Sequence, residues 1–182
     1  MTTHTISADT KALESEHGLR DDNPSSIVFL LGKDCSHLQF TRELIQNSIE
    51  AQATQIVVNH DEQVYNATDG NVCALAFMDN GIGLTGDQMF ENLMALCPES
   101  TDNDGENFGV GAKITAFYVS PKGVRFRSLK GGICYEMFVY LHNGRYIAKD
   151  FDGQPYHIVS ASEMPEFIQQ AGHGTVVTLF GA

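Results

Sequence analysis

Apolar side chains recur at helical spacing between residues 38 and 53. They are Leu38, Phe40, Leu44, Ile45 and Ile49. A stripe of this kind predicts an amphipathic helix that buries one side against the protein core. Three polar side chains, Glu43, Asn47 and Glu50, follow one another at intervals of four and three residues, so they share another side of the same helix.

Runs rich in β-branched and aromatic residues predict strands in the rest of the chain. They cover residues 55–64, 72–78, 124–129, 133–141, 145–149 and 175–180. Asp69-Gly70 lies between the first two runs, and Gly131-Gly132 and Asn143-Gly144 separate later ones, which is typical of tight turns between antiparallel strands. The sequence therefore predicts a largely antiparallel sheet whose last third is a meander.

Further helices are predicted from their start and end signals. Thr85 and Gln88 form a capping box for a helix that runs to about residue 96. A Gly-x-Gly turn precedes a short helix through Tyr118, and another helix begins at Ser162 and ends at Gly172. Residues 98–107 lack an apolar anchor and predict a mobile loop, while the polar residues 1–26 predict a mobile N-terminal arm before a domain spanning 27–182.

The chain of 182 residues is long enough for one domain with a sizeable core. Its 11 Lys and Arg against 23 Asp and Glu give a net charge of −12, which argues against direct contact with nucleic acid or an anionic membrane. No apolar run approaches the roughly 18 residues of a membrane span, and the N-terminus does not resemble a signal peptide. Because neither a membrane span nor a signal peptide is found, we expect a cytoplasmic location. The four cysteines and seven histidines are dispersed, so we expect reduced thiols and no transition-metal site.

Three polar features occur in an order that predicts a nucleotide site. They are the helix side with Glu43 and Asn47, the motif Asp79-x-Gly81-x-Gly83 after a strand, and Gly109-x-Gly111 before a helix. Unpaired N–H groups at a helix N-terminus suit a polyphosphate. The amide oxygen of Asn47 suits Mg²⁺, which takes only one or two protein oxygens, and Glu43 suits a water-activating base. Each feature alone also has an ordinary interpretation, as a solvated helix side, a turn or a helix boundary.

Taken together, these motifs make the chain resemble the ATP-binding domain of the GHKL superfamily, which includes DNA gyrase, a heat-shock chaperone, MutL, MORC proteins and histidine kinases. The resemblance runs from residue 40 to about residue 180. Four motifs carry it in order: residues 40–51, Asp79-x-Gly81-x-Gly83, Phe108-Gly109-Val110-Gly111, and Gly174-Thr175. Its specificity comes from the order and spacing of the four, since a single Gly-x-Gly is a weak signal.

The resemblance implies a role for individual residues. Glu43 would be the general base, Asn47 the Mg²⁺ ligand, and Asp79 the acceptor of the adenine amino group. The implied nucleotide-binding residues are Asn47, Glu50, Ala51, Asp79, Gly81, Ile82, Gly83, Asn92, Leu93, Phe108, Gly109, Val110, Gly111, Ala112, Lys113 and Thr175. Two positions depart from the family pattern: Glu50 replaces the usual Asp, and Lys113 stands where several relatives have an apolar or acidic residue.

The fold that the resemblance implies is an α/β two-layer sandwich, with a mixed, largely antiparallel sheet and helices on one face. The implied function is Mg²⁺-dependent ATP binding and slow hydrolysis to ADP and phosphate. This would serve as a conformational switch in a larger assembly, through ATP-dependent homodimer closure and C-terminal transducer or effector domains or a partner protein.

Two alternatives remain open at this point. The first is a nucleotide sensor that does not hydrolyse ATP, and Glu43 argues against it because a pure binder needs no base. The second is a histidine-kinase catalytic domain, which typically lacks this Glu and follows a phosphoacceptor helical hairpin that residues 1–26 do not fit.

Overall fold

The computed structural model describes residues 38–62, 64, 74–94, 110–120 and 122–181. For residues 110–114 it describes the backbone only. Several sequence predictions lie outside these residues: the arm at 1–26, the turn at 69–70, the loop at 98–107, and the motif residues Phe108 and Gly109.

Seven strands form one antiparallel sheet in the described part of the chain. They are β1 (Ile56–His60), β2 (Ala74–Asp79), β3 (Val124–Lys130), β4 (Ile133–His142), β5 (Arg145–Ala148), β6 (His157–Val159) and β7 (Gly174–Phe180). The order across the sheet is β1-β2-β7-β3-β4-β5, and β6 also pairs with β4. The last strand in sequence therefore lies in the middle of the sheet, between β2 and β3, and brings Thr175 opposite Asp79.

Helices cover both faces of this sheet. They are α1 (Gln39–Glu50), α2 (Gly86–Met94), α3 (Val110–Val119) and α4 (Glu166–Ala171), with a 3₁₀ turn at Ala161–Glu163. The larger core joins α1, α2 and α3 to one face through side chains such as Phe40, Met89, Phe117 and Phe77. A smaller core on the other face packs Met164 and Ile168 against residues that include Ala76 and Val176.

Because successive residues of a strand point to opposite faces, Ala76 and Phe77 belong to different cores. The predicted α/β fold with a largely antiparallel sheet and a helical layer on one face is confirmed. The short helix α4 covers part of the opposite side, where the sequence analysis did not expect a helix. No helix in the described ranges has the length and apolar character needed to cross a membrane.

The buried stripe of α1 differs from the predicted one. The structure buries Phe40, Leu44 and Ser48, whereas Leu38 is 73% exposed and Ile49 is 55% exposed. Ser48 takes the place of an apolar residue because its hydroxyl finds hydrogen-bond partners inside, on the Leu44 carbonyl and the Asp79 carboxylate. The prediction used apolar residues alone, and it therefore placed the buried side of α1 at a different angle around the helix axis from the observed one.

Other boundaries need smaller corrections. Helix α1 ends at Glu50 instead of residue 53, β1 ends at His60 instead of residue 64, and α4 begins at Glu166 after a 3₁₀ turn instead of at Ser162. Pro165 explains the last difference, because it lacks the N–H of a helix interior and suits the helix N-terminus. The three-residue strand β6 was not predicted.

Local start and stop signals were predicted correctly at two helices. The Thr85 hydroxyl accepts the Gln88 N–H at 3.3 Å, and the Gln88 side chain accepts the Thr85 N–H at 3.1 Å, which completes the capping box of α2. Gly172 ends α4 with a left-handed φ of 76°.

Candidate functional site

A largely apolar cavity opens between the sheet and helices α1, α2 and α3. It is lined by Leu44, Asn47, Ser48, Ala51, Phe77, Asp79, Ile82, Gly83, Leu84, Met89, Asn92, Leu93, Ala116, Phe126, Thr175 and Val177. Asp79 is the one ionisable side chain among these described lining residues. Such a cavity, apolar with few polar groups at fixed places, is typical of a small-molecule site.

The carboxylate of Asp79 is held at the end of strand β2, where it is 7% exposed. Its Oδ1 accepts the Gly81 N–H at 2.8 Å, and its Oδ2 accepts the Ser48 hydroxyl at 3.1 Å. Burial raises the pKa of Asp79 above its usual value, although the two hydrogen bonds oppose that change. The side chain is thus a buried acceptor in a fixed orientation.

The turn after Asp79 is tied to the connection between α1 and β1. The Asn80 side-chain oxygen accepts the N–H groups of Thr54 and Gln55 at 2.9 and 2.8 Å, and its amide nitrogen donates to the Thr54 hydroxyl at 2.9 Å. The Ile82 N–H donates to the carbonyl of Ala51 at 3.0 Å. These bonds place Ala51 and Ile82 together at the cavity wall.

Both glycines of this motif are required by the protein's own packing. A Cβ on Gly81 would lie 2.7 Å from the Ala51 Cβ and 2.8 Å from the Asp79 carboxylate. Gly83 has a φ of +63°, and a Cβ there would lie 2.3 Å from the carbonyl oxygen of Leu129. The glycine spacing therefore follows from how tightly the turn fits between α1 and β3.

Strands β3 and β7 also contact the turn that follows Asp79. The fully buried Ser128 hydroxyl accepts the Leu84 N–H at 2.7 Å and donates to the Gly174 carbonyl at 3.3 Å. Thr175 follows directly and faces Asp79 in the strand register. Thr175 thus lines the cavity beside the buried carboxylate.

On helix α1, Asn47 lines the cavity, while Glu43 lies one turn earlier, partly buried and outside the lining. Glu50 is exposed and its carboxylate accepts the Gln46 side chain at 3.0 Å. Of the three polar residues predicted to share one side of α1, Asn47 therefore lines the cavity, whereas Glu43 and Glu50 do not. Gly81 likewise supports the turn without lining the cavity.

Helix α2 brings Asn92 and Leu93, two of the predicted nucleotide-binding residues, to the cavity. Val110, Gly111, Ala112 and Lys113 form the first turn of α3, so Gly111 lies inside the helix instead of before it. Helices α1 and α3 pack on each other, which puts this first turn on an element adjacent to Asn47's helix. The Lys113 side chain lies outside the description.

Four residues that support the site were missed by the sequence analysis: Ser48, Asn80, Ser128 and His173. Ser48 had a detectable signal, because it continues the i, i+4 spacing of Phe40 and Leu44. The other three act across long sequence separations, for which no local pattern exists.

A second polar cluster lies on the opposite face of the sheet. Arg125 pairs with Asp61 at 2.5 Å, and Arg127 pairs with Glu136 at 2.5 Å and with Glu163 at 2.9 Å. Burial raises the pKa of Asp61, but the Arg125 charge and the Thr178 hydroxyl outweigh it and leave that pKa lowered. For Glu136, His157 and the arginines overcome burial in the same way. These ion pairs have the arrangement of a structural network, in which the buried Arg125 Nε has no hydrogen-bond partner among the described residues.

A protein-family model described as "Histidine kinase-, DNA gyrase B-, and HSP90-like ATPase" matches residues 38–175, which include every described element from α1 to the start of β7. The chain therefore belongs to this family of ATPase domains, the GHKL superfamily. No curated protein matches the sequence.

Among solved structures, the 43K ATPase domain of Thermus thermophilus gyrase B, in complex with an aminocoumarin, is similar to this chain. The identity is 18% and the TM-score is 0.48 over 78% of this chain. The match covers 32% of the gyrase chain, so this chain spans about a third of that protein's length.

Proposed function

We propose that this chain binds ATP with Mg²⁺ and hydrolyses it slowly to ADP and phosphate. The observation that carries the proposal is the buried Asp79 carboxylate in a largely apolar cavity of a GHKL-family domain. An adenine ring has apolar faces and an exocyclic amine, and its amine needs one acceptor at a fixed position. Asp79 supplies that acceptor, with Ile82, Leu93 and Thr175 around it.

The residues present fit a magnesium–phosphate group on the α1 side of the cavity. Asn47 faces the cavity, and its side-chain amide has no hydrogen-bond partner among the residues that the structure describes. We assign its oxygen to the ion, which would neutralise phosphate charge when bound.

Glu43 lies one helical turn before Asn47, which is the distance at which two side chains of a helix are neighbours. We assign it the role of orienting a water molecule and accepting its proton. Phe108 and Gly109 would contribute their backbone N–H groups to the phosphates, together with residues 110–113 at the start of α3. Glu50 is exposed on the next turn, so we assign its charge only an indirect electrostatic effect on the site.

We further propose that hydrolysis drives a conformational switch in a larger cytoplasmic assembly. Transducer or effector domains, or a partner protein, would receive this movement, as membership of the GHKL family implies. ATP-dependent closure of a homodimer would convert binding into movement. The net charge of −12 supports protein partners over nucleic acid.

Isothermal titration with ATP, ADP and GTP, each with Mg²⁺ and with EDTA, tests the proposal together with a phosphate-release assay. We expect ATP to bind more tightly than GTP, and Mg²⁺ to strengthen ATP binding. Absence of ATP binding would refute the proposal, and tight binding without any phosphate release would identify a sensor instead.

A further inference from the structure

His173 connects the start of strand β7 to the turn that follows Asp79. Its ring Nδ1 lies 2.6 Å from the carbonyl oxygen of Gly81. We propose that His173 is a positioning residue, which fixes this turn and thereby sets the affinity of the site for adenine over guanine nucleotides. The inference rests on the proposed function and extends it to a residue outside the motifs that define the family.

The two glycines that flank His173 bring it to this position. Gly172 has a φ of 76° and ends helix α4, so the chain reverses there. Gly174 has a φ of +148°, and a Cβ on it would lie 2.2 Å from the carbonyl oxygen of Asp79. The backbone of residue 174 can therefore approach the end of β2 closely, and the imidazole between the two glycines reaches past it to Gly81.

Gly81 is held at both of its backbone groups. Its N–H donates to the Asp79 carboxylate at 2.8 Å, and its carbonyl accepts from His173. Gly81 is buried and flexible by nature, since it lacks the Cβ that limits backbone rotation. The Gly81 carbonyl shares its peptide plane with the Ile82 N–H, which donates to the Ala51 carbonyl at 3.0 Å. Without the His173 bond, this peptide plane can rotate and break that second bond, which loosens the turn and with it the Gly81 N–H that orients the Asp79 carboxylate.

The orientation of this carboxylate decides which base it can accept. Adenine presents an amine donor at the position where guanine presents a carbonyl acceptor. A carboxylate in a fixed place accepts from adenine and repels guanine, whereas a carboxylate that moves discriminates less well. His173 therefore bears on base selectivity, although it is absent from the described lining of the cavity.

The imidazole donates from Nδ1 both as the neutral Nδ1–H tautomer and as the imidazolium. Asparagine can replace this function, because its side-chain nitrogen occupies the place of Nδ1. Alanine cannot donate. The pair His173→Asn and His173→Ala thus separates the hydrogen bond from the ring.

The experiment is calorimetric titration of the full chain and these variants with Mg·ATP and Mg·GTP, with thermal unfolding recorded in parallel. His142→Ala, at the end of β4 and outside the cavity lining, is the matched control. We expect His173→Ala to weaken ATP binding about three- to tenfold, as the loss of one hydrogen bond predicts, and to lower the ATP-to-GTP affinity ratio. His173→Asn and His142→Ala should both stay close to the wild type.

A merely structural role would weaken ATP and GTP alike and would leave their ratio unchanged, which would overturn the inference. Equal ATP affinity of wild type and His173→Ala would also overturn it while leaving the proposed function intact. If wild type binds no nucleotide, the proposed function fails and this inference fails with it. Should His173→Ala not fold, His173→Leu keeps the bulk without a donor and gives the same comparison.

Discussion

The hydroxyl of Ser48 lies 3.1 Å from Oδ2 of Asp79, and this hydrogen bond joins helix α1 to the end of strand β2. Ser48 is the direct neighbour of Asn47. The helix assigned to the magnesium ion and the strand assigned to the adenine are therefore linked through one buried contact. If phosphate and Mg²⁺ binding moved α1, this hydrogen bond would transmit the movement to the carboxylate assigned to the adenine.

Replacement of Asp79 by Asn should separate binding from stability. The pKa of Asp79 is raised in the folded state, so its ionisation at neutral pH opposes folding. Asn removes that charge, still accepts the Gly81 N–H, and can donate to Ser48. We expect Asp79→Asn to be at least as stable as wild type at pH 7 and to lose its advantage as the pH falls toward the unfolded value of 3.8.

The same variant should lose ATP affinity by about 1–3 kcal/mol, because the adenine amine then loses its charged acceptor. Chemical denaturation at pH 7 and pH 4 measures the stability, and calorimetric titration measures binding. A variant that binds ATP as well as wild type would remove Asp79 from the adenine site.

Glu43→Gln should bind Mg·ATP like wild type and release phosphate about 10²–10⁴-fold more slowly, because general-base catalysis contributes roughly that factor. Asn47→Ala should instead lose the part of ATP affinity that depends on Mg²⁺. Glu91→Gln, on the exposed side of α2, is the matched control for a lost carboxylate. Unchanged turnover in Glu43→Gln would place the base elsewhere.

Gly83 and Gly131 offer a comparison of backbone strain with steric overlap. Their φ values are +63° and +61°, but only a Cβ on Gly83 meets a neighbour, the Leu129 carbonyl. Gly131→Ala should cost about 1 kcal/mol of unfolding free energy from strain alone. Gly83→Ala should cost several times that amount, because backbone must shift as well. Denaturant titration of both variants tests this difference, and equal losses would contradict it.

The charge network behind the sheet should make the protein sensitive to acid. The pKa values of Asp61 and Glu136 are lowered in the fold, so their stabilisation is present above the unfolded values of 3.8 and 4.5 and is lost as the pH falls through the lower folded values. Arg125→Met should cost about 3–5 kcal/mol at pH 7 by leaving the Asp61 charge unpaired.

That penalty should shrink at acid pH, because protonation of Asp61 removes the buried charge that Arg125 pairs with. Unfolding followed across pH 2–8 measures it, with the exposed Arg145→Met as control. Parallel curves for Arg125→Met and wild type would show that the pair contributes nothing to acid sensitivity.

Local patterns predicted most of the fold because they reflect local physics. The strands around the Asn143-Gly144 turn and the capping box at Thr85 depend on residues a few positions apart. Ser48 was missed because its burial depends on Asp79, which lies on another element. Strand β6 has three residues and depends on its pairing with β4, so it is too short to show the alternating hydrophobic pattern that predicts a strand.

The candidate site divides in the same way. Asp79, Asn47 and Thr175 were found by motif order, and the cavity does bring them together. His173 was not found, because its contact with Gly81 depends on how two distant turns approach each other. The residues that line the cavity follow motifs more closely than the residues that hold those motifs in place.

The central place of β7 also governs how the protein folds. Asp79 and Thr175 are opposite each other in the sheet although roughly a hundred residues separate them, and closing a loop of that length costs entropy before any contact repays it. The helices and the β3–β4–β5 meander can form through contacts between residues that are close in sequence. The cavity is complete only after β7, which contributes Thr175 and Val177 to its lining, has joined the sheet. Nucleotide binding would therefore appear only at the end of folding, and its onset in a refolding experiment would time the insertion of β7.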